Sequence, residues 1–320
     1  MNNHMKVLFI FLDGIGLGVN DPEINPFAKV EMPNLQGLLS SNKLLLDTII
    51  TNSTDRIKFD TSRATLLALD AGLGVDGLPQ SATGQAALLT GKNVSAEIGY
   101  HYGPKPNQDV AAYLRNGNLF SSLADLGYKS TLLNAYPPGY FSAIQSGRRL
   151  YSAIPLAVVS AGIPLKTLDD LQNGQALSAD FTAQGWRDRL DLPDTPVLTP
   201  RQAGERMAAL VNDYDLAFFE YWLSDYAGHS QDMQTALTLL QTFDLVLGGI
   251  LENWNDQEGI ILITSDHGNM EDLSTRRHTA NPVPVLLIGD QKLRSDFATE
   301  LIDITGVAAA VMRIIRRADL

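Results

Sequence analysis

The sequence predicts an α/β sandwich of three layers around a mostly parallel central sheet. Five short apolar runs are continuous rather than alternating, as in strands buried on both faces. They are KVLFIFL from Lys6, YKSTLLNA from Tyr128, DLAFFEYW from Asp215, GIILITS from Gly259 and VPVLLIG from Val283. Segments with helical patterning lie between them, the alternation that produces parallel strands with helical crossovers. Hydrophobic residues make up 45% of the chain, enough for a well-buried core in 320 residues.

In chain order, the first run ends in Asp13 and the glycine-rich GIGLG. From Leu44, LLLDTIITNSTDRIKFDTSRATLLALDAG reads as extended strands, a hairpin leading toward Ser81. The stretch GLPQSATGQAALLTGKN is a Gly/Pro turn followed by a short helix that stops at Gly91, a residue suited to the left-handed position after a helix. NLFSSLADLG predicts a helix ending at Gly127, just ahead of the second run. TLDDLQNG is a further short helix. QTALTLLQTFDLVLGGILENW is a long helix after the third run, and TGVAAAVMRIIRRADL is the last helix.

A net charge of −12 provides no basic field to offset nucleic-acid phosphates. It leaves a small anionic substrate open, because bound divalent cations reverse the local sign. The absence of cysteine excludes disulfides, thiolate metal sites and a cysteine nucleophile. The start MNNHMKVLFIFLDGIG lacks the small-residue cleavage site of a signal peptide. No apolar stretch reads as long enough to span a membrane. The expectation is a cytoplasmic protein with neither nucleic acid nor membrane as partner.

The ends of the apolar runs carry the chemistry. Ligands of α/β sheets bind outside the carboxyl ends of the strands. There the chain places Asp13, then Asp225 and His229 in SDYAGH, then Asp266 and His267 in TSDHGN; His278 in RRHTANPVP precedes the fifth run. Singly, each has an ordinary structural explanation: a turn at Asp13-Gly14, a helix cap at Asp266, a surface imidazole at His278. Together, three carboxylates and three imidazoles suit zinc or manganese, and six ligands suffice for two divalent ions sharing a site.

Ser81 stands where the backbone N–H groups of a helix start favour an anion such as phosphate. A serine there is most often a simple cap. Beside two cations its hydroxyl becomes a competent nucleophile.

The segments LDGIGLG, PQSATGQAALLTG, DYAGH, TSDHGN and RRHTANPVP, in this order, resemble the alkaline phosphatase superfamily. The nearest branch is that of cofactor-independent phosphoglycerate mutase and phosphopentomutase. The resemblance implies one metal at Asp13, Ser81, Asp266 and His267, with Ser81 as nucleophile, and a second at Asp225, His229 and His278. It implies Mn²⁺ or Zn²⁺. Two departures stand out. Gln85 occupies a position where the mutase serine motif has histidine, and the large inserted domain of full mutases has no counterpart of that size. The implied layout is a phosphatase-like core over residues 1–137 and 201–320 with a reduced cap over 138–200.

Phosphate recognition recruits basic side chains. Lys92, Arg148, Arg149, Arg276 and Arg277 are the candidates, with His101 in the aromatic loop GYHYGPKP; each also reads as an ordinary surface or packed residue. The favoured function is a di-metal phosphomonoesterase or phosphodiesterase acting on a small phosphorylated substrate through a phosphoserine at Ser81. The alternatives are a phosphomutase and a non-catalytic metal-dependent binding module.

Overall fold

The structure is a computed structural model and describes residues 4–52 and 58–319. Its strands are β1 (Lys6–Leu12), β2 (Lys58–Asp60), β3 (Ala64–Leu69), β4 (Ser130–Leu132), β5 (Leu216–Tyr221), β6 (Gly259–Thr264) and β7 (Val283–Gly289). They form one mixed sheet in the order β2-β3-β7-β6-β1-β5-β4. β4, β5, β1 and β6 pair in parallel, whereas β7 runs antiparallel to β6 and β3 antiparallel to β7. All five predicted runs contain a strand of this sheet.

β1 shows why these runs are continuously apolar. Val7, Phe9 and Phe11 enter one hydrophobic core, and Leu8, Ile10 and Leu12 enter the other. With helices on both faces, each side-chain direction meets apolar neighbours, so the alternation of a half-exposed strand is lost. The first core is closed by helices that include Ser81–Thr90, Leu119–Asp125 and Gly306–Ile315. The second is closed by Pro200–Leu210 and Met233–Asn253. Leu119–Asp125 begins with a reciprocal cap between Asn118 and Ser121, and Gly127 follows it with φ of +82°.

Two expectations require correction. The region from Leu44 is not extended throughout: Leu46–Asn52 is a helix, and only the later part forms the β2–β3 hairpin. Residues 53–57 of that reading lie outside the described residues. Leu44, Leu45, Thr48 and Ile49 are buried there, and the spacing of three and four from Leu45 outweighs the β-branched composition. Second, the 21-residue helix Met233–Asn253 is long and apolar enough, by length and composition, to cross a membrane. It packs as a core helix. Its buried Asp244 accepts hydrogen bonds from the backbone N–H groups of Asn34 and Leu35 and from the Asn34 side chain.

Within the span expected as a cap, helix Ala153–Ser160 packs into the first core, with Ala153, Ile154, Ala157 and Val158 fully buried or nearly so. A separate small cluster of Leu171, Ala176, Ala183 and Trp186 closes around Ala135 just beyond β4.

Candidate metal centre

One sheet edge collects the chemistry. Asp13 follows β1 directly, and its N–H donates to the Tyr221 carbonyl at the end of β5. Asp225 lies in the first turn of helix Leu223–Ser230, which leaves β5, and His229 is one turn later on the same face. Asp266 and His267 follow β6. His278 precedes β7, yet reaches the same edge because β7 is antiparallel. The register pairs Thr264, the last residue of β6, with Val285, so the start of β7 projects beyond β6. Ser81 opens a ten-residue helix after β3.

The donor atoms converge. Nε2 of His267 lies 3.0 Å from Ser81 Oγ, 3.4 Å from Asp13 Oδ1 and 3.7 Å from Asp266 Oδ2. Nε2 of His229 lies 3.3 Å from Asp225 Oδ2, and Nε2 of His278 lies 3.7 Å from Asp225 Oδ1. The His267 and His278 rings stack with centroids 3.7 Å apart and an angle of 13°. Ser81 is the first helical residue, the cap is Gln80, and the serine hydroxyl turns into the cluster instead of capping the helix.

Each imidazole is oriented from behind. Nδ1 of His229 sits 2.8 Å from the Arg276 carbonyl, Nδ1 of His278 2.7 Å from that of Pro79, and Nδ1 of His267 3.3 Å from that of Gly268. A carbonyl only accepts, so Nδ1 carries the proton and Nε2 faces the cluster in all three. This is the second-layer arrangement that presents imidazoles to metals. Nε2 of His229 and of His278 face each other at 3.3 Å, a contact that requires a proton or a cation between them.

The electrostatics ask for positive charge. Burial pushes the Asp13 and Asp266 carboxyls upward, and the charge of Asp266 pushes Asp13 further. Burial also works against an ionised Asp225, but the His229 hydrogen bond and the His267 charge overcome it and bring this carboxyl to about 2. Burial opposes protonation of His267, yet Asp266, Asp13 and Asp225 raise it to about 10. Burial and the His267 charge lower His278 to about 4. The three carboxylates thus favour positive charge among them.

The residues fit divalent cations on three grounds. Asp13 Oδ1 is a buried acceptor without a hydrogen-bond donor. Two sets of donor atoms are close enough together to hold an ion: Asp225, His229 and His278, and Asp13, Asp225 and His267. The donors are imidazole nitrogens and carboxylates, the chemistry of zinc and manganese sites. Asp225 belongs to both sets. Backbone close approach makes room for them, since a Cβ on Gly14 would come within 2.7 Å of Asp225 Oδ1 and one on Gly84 within 2.9 Å of the Asp266 carbonyl.

Residues 198–315 match the metalloenzyme superfamily family model, a span that includes Asp225, His229, Asp266, His267 and His278. The chain is similar to the 2,3-bisphosphoglycerate-independent phosphoglycerate mutase of Desulforudis audaxviator (strain MP104C), with 30% identity over 126 residues, 35% of this chain and 25% of that protein. Over this part of its length the chain is similar to the metalloenzyme superfamily and to these mutases.

Two solved structures share the fold of this chain. Leishmania mexicana phosphoglycerate mutase superposes with a TM-score of 0.58 at 10% identity, over 98% of this chain and 95% of that one. Alkaline phosphatase from the Antarctic bacterium TAB5 gives 0.52 at 13% identity, over 98% of each chain. The chain covers about a quarter of the length of the curated relatives it matches.

The predicted basic residues make other contacts than the cluster residues do. Lys92 lies over the Tyr113 ring, Arg148 donates to Ser146, and Arg149 lies 4.8 Å from the centre of the Tyr140 ring. Arg276 donates its side chain to Gln231, while its carbonyl holds His229. The Arg277 backbone N–H donates to Thr275. His101 contacts Ser95 Oγ and the Val75 carbonyl through its two ring nitrogens.

Two residues to which the sequence reading gave no role complete the site. Gln85 Nε2 bridges the carboxylates of Asp266 at 3.1 Å and Asp13 at 3.4 Å. The spacing of four from Ser81 on one helix face was the signal for it. Asn269 Nδ2 donates to Asp225 Oδ1 at 2.6 Å. Only the fold brings that pair together.

Proposed function

We propose that the chain is a di-metal phosphoryl-transfer enzyme that hydrolyses a small phosphoester through a phosphoserine at Ser81. The observation that carries this reading is the Ser81 hydroxyl, turned inward 3.0 Å from His267 Nε2 and among the Asp13 and Asp266 carboxylates. Asp13, Ser81, Asp266 and His267 would hold one Mn²⁺ or Zn²⁺, and Asp225, His229 and His278 the other, with Asp225 near both. Bound there, the cations would supply the positive charge that activates a serine hydroxyl and offsets phosphoryl oxygens.

The chain's own groups do the rest. Helix Ser81–Thr90 sets the hydroxyl in its first turn, where the helix dipole favours the incoming anion. Ser81 Oγ forms a bond to phosphorus and the ester oxygen leaves. Attack of water on the phosphoserine then releases inorganic phosphate and restores the hydroxyl. Gln85 keeps Asp13 and Asp266 together, and the carbonyls of Pro79, Arg276 and Gly268 keep three imidazoles in the tautomer that faces the site. The 138–200 segment is the reduced cap of this reading, and Arg149, which lies over the Tyr140 ring, is a candidate in it for the remainder of the substrate.

Rapid quench with a ³²P-labelled phosphomonoester in the presence of Mn²⁺ or Zn²⁺ tests the covalent route. Label on Ser81 supports it. Turnover without label on Ser81, retained in Ser81→Ala, overturns it. A phosphomutase remains the second reading, on the ground that the curated relatives are named phosphoglycerate mutases.

A further inference from the structure

Glu271 lies five residues beyond Asp266 and is 1% exposed. Its Oε2 accepts from the Gly16 N–H at 2.9 Å and from the Asn269 N–H at 2.7 Å. Its Oε1 accepts from Asn281 Nδ2 at 3.0 Å and from the Thr279 hydroxyl. No Lys or Arg among the described residues pairs with it in a salt bridge. A carboxylate in a buried place is costly unless its lone pairs are satisfied, and four donors satisfy this one.

The four donors come from two connections, the one after β1 and the one between β6 and β7, and at three points they lie beside a cluster residue. Gly16 is three residues after Asp13, Asn269 two after His267, and Thr279 one after His278. The glycines around Glu271 support the same reading. A Cβ on Gly16 or Gly268 would collide with Glu271 Oε1, and one on Gly18 would come within 2.9 Å of Glu271 Cγ. The glycines in GIGLG and DHGN therefore leave space for this carboxylate. Asn269, held through its N–H by Glu271, extends the effect to helix Leu223–Ser230 by donating Nδ2 to Asp225.

We infer that Glu271 is a positioning residue that ties the two ends of the β6–β7 connection to each other and to the connection after β1, so that Asp13, His267, His278 and Asp225 meet at cation-binding distance. It touches neither substrate nor cation and acts through the backbone of the ligand loops. The inference rests on the di-metal reading above.

The test uses the full chain with Glu271→Gln and Thr279→Val. A carboxamide has the same size but sets an NH₂ group against two of the four donors. Thr279→Val removes one donor and leaves the carboxylate. Mn²⁺ and Zn²⁺ affinities are measured by competition with a chromophoric chelator, stability by urea unfolding in EDTA, and kcat and KM on p-nitrophenyl phosphate at saturating metal.

The expected result for Glu271→Gln is a folded protein whose metal affinity falls roughly 10- to 100-fold, the range for outer-layer partners. Its kcat should drop while KM changes little. Thr279→Val should weaken binding in the same sense but less. Lower stability in Glu271→Gln with wild-type metal affinity would make Glu271 merely structural and overturn the inference. Should Glu271→Gln fail to fold, Thr279→Val decides, and unchanged affinity there overturns it too. A wild-type chain that binds no divalent ion would defeat the di-metal reading itself. Wild-type binding together with unaltered variants would defeat only the role of Glu271.

Discussion

Ser81 Oγ and His267 Nε2 lie 3.0 Å apart although 186 residues separate them in the chain. One starts a helix after β3 and the other lies three residues beyond the end of β6, so the contact exists only because the sheet aligns both ends at one edge. It joins the proposed nucleophile to the most strongly perturbed imidazole of the cluster, and several measurable consequences depend on it.

Replacing Ser81 by alanine should leave the fold intact, because the side chain is small and makes no cap. Phosphomonoester turnover should fall by about 10³-fold or more, as with other covalent nucleophiles. Steady-state kinetics beside a circular dichroism spectrum checks both halves.

Metal content should respond unequally to ligand loss. Asp225 belongs to both donor sets, whereas His229 belongs to one. Asp225→Asn should therefore weaken both ions, and His229→Ala should remove one of two. Elemental analysis after dialysis against a weak chelator distinguishes the two patterns.

Gln85→Ala should destabilise the metal-free protein by about 1–3 kcal/mol, the cost of leaving buried acceptors without their donor. The deficit should shrink once cations are added, because they offset the same carboxylates. Urea unfolding with EDTA and with Mn²⁺ compares the two states.

Gly14 has φ of +69°, and a side chain there meets Asp225. Gly14→Ala should cost about 1–2 kcal/mol in backbone strain and should also weaken metal binding. Loss of stability without loss of affinity would show that the close approach to Asp225 is not needed.

The phosphoryl group should end on water. In ¹⁸O-labelled water, 3-phosphoglycerate or ribose 5-phosphate should yield labelled inorganic phosphate if accepted. Isomerised phosphoester with no label released would identify a mutase instead. The proposed reduced cap over 138–200 motivates the hydrolytic outcome, since a mutase must keep bulk water from its intermediate.

Much of the fold was legible because its signals are local. A strand buried on both faces must be apolar at every position, which marked β1, β5, β6 and β7. Glycines at Gly91 and Gly127 marked helix ends because they accept left-handed φ. Leu46–Asn52 was misread because its β-branched residues outweighed a short helical spacing. Gln85 was visible only as a departure from a motif, and Asn269 and Glu271 were silent. An amide or acid near a histidine has no local signature until its partners arrive from other segments.

The sequence by itself determined the strands, the principal helices and the inventory of carboxylates, imidazoles and serine at strand ends, since periodicity and residue chemistry are properties of short segments. The tertiary structure alone decided that β7 turns antiparallel and carries His278 to the edge where β1, β5 and β6 finish. It alone decided that Asp225 lies between two donor sets, that three backbone carbonyls orient three imidazoles, and that Ser81 turns inward. Strand direction and these contacts depend on packing between segments up to about two hundred residues apart, and no local pattern specifies which distant partner fills a buried hydrogen bond.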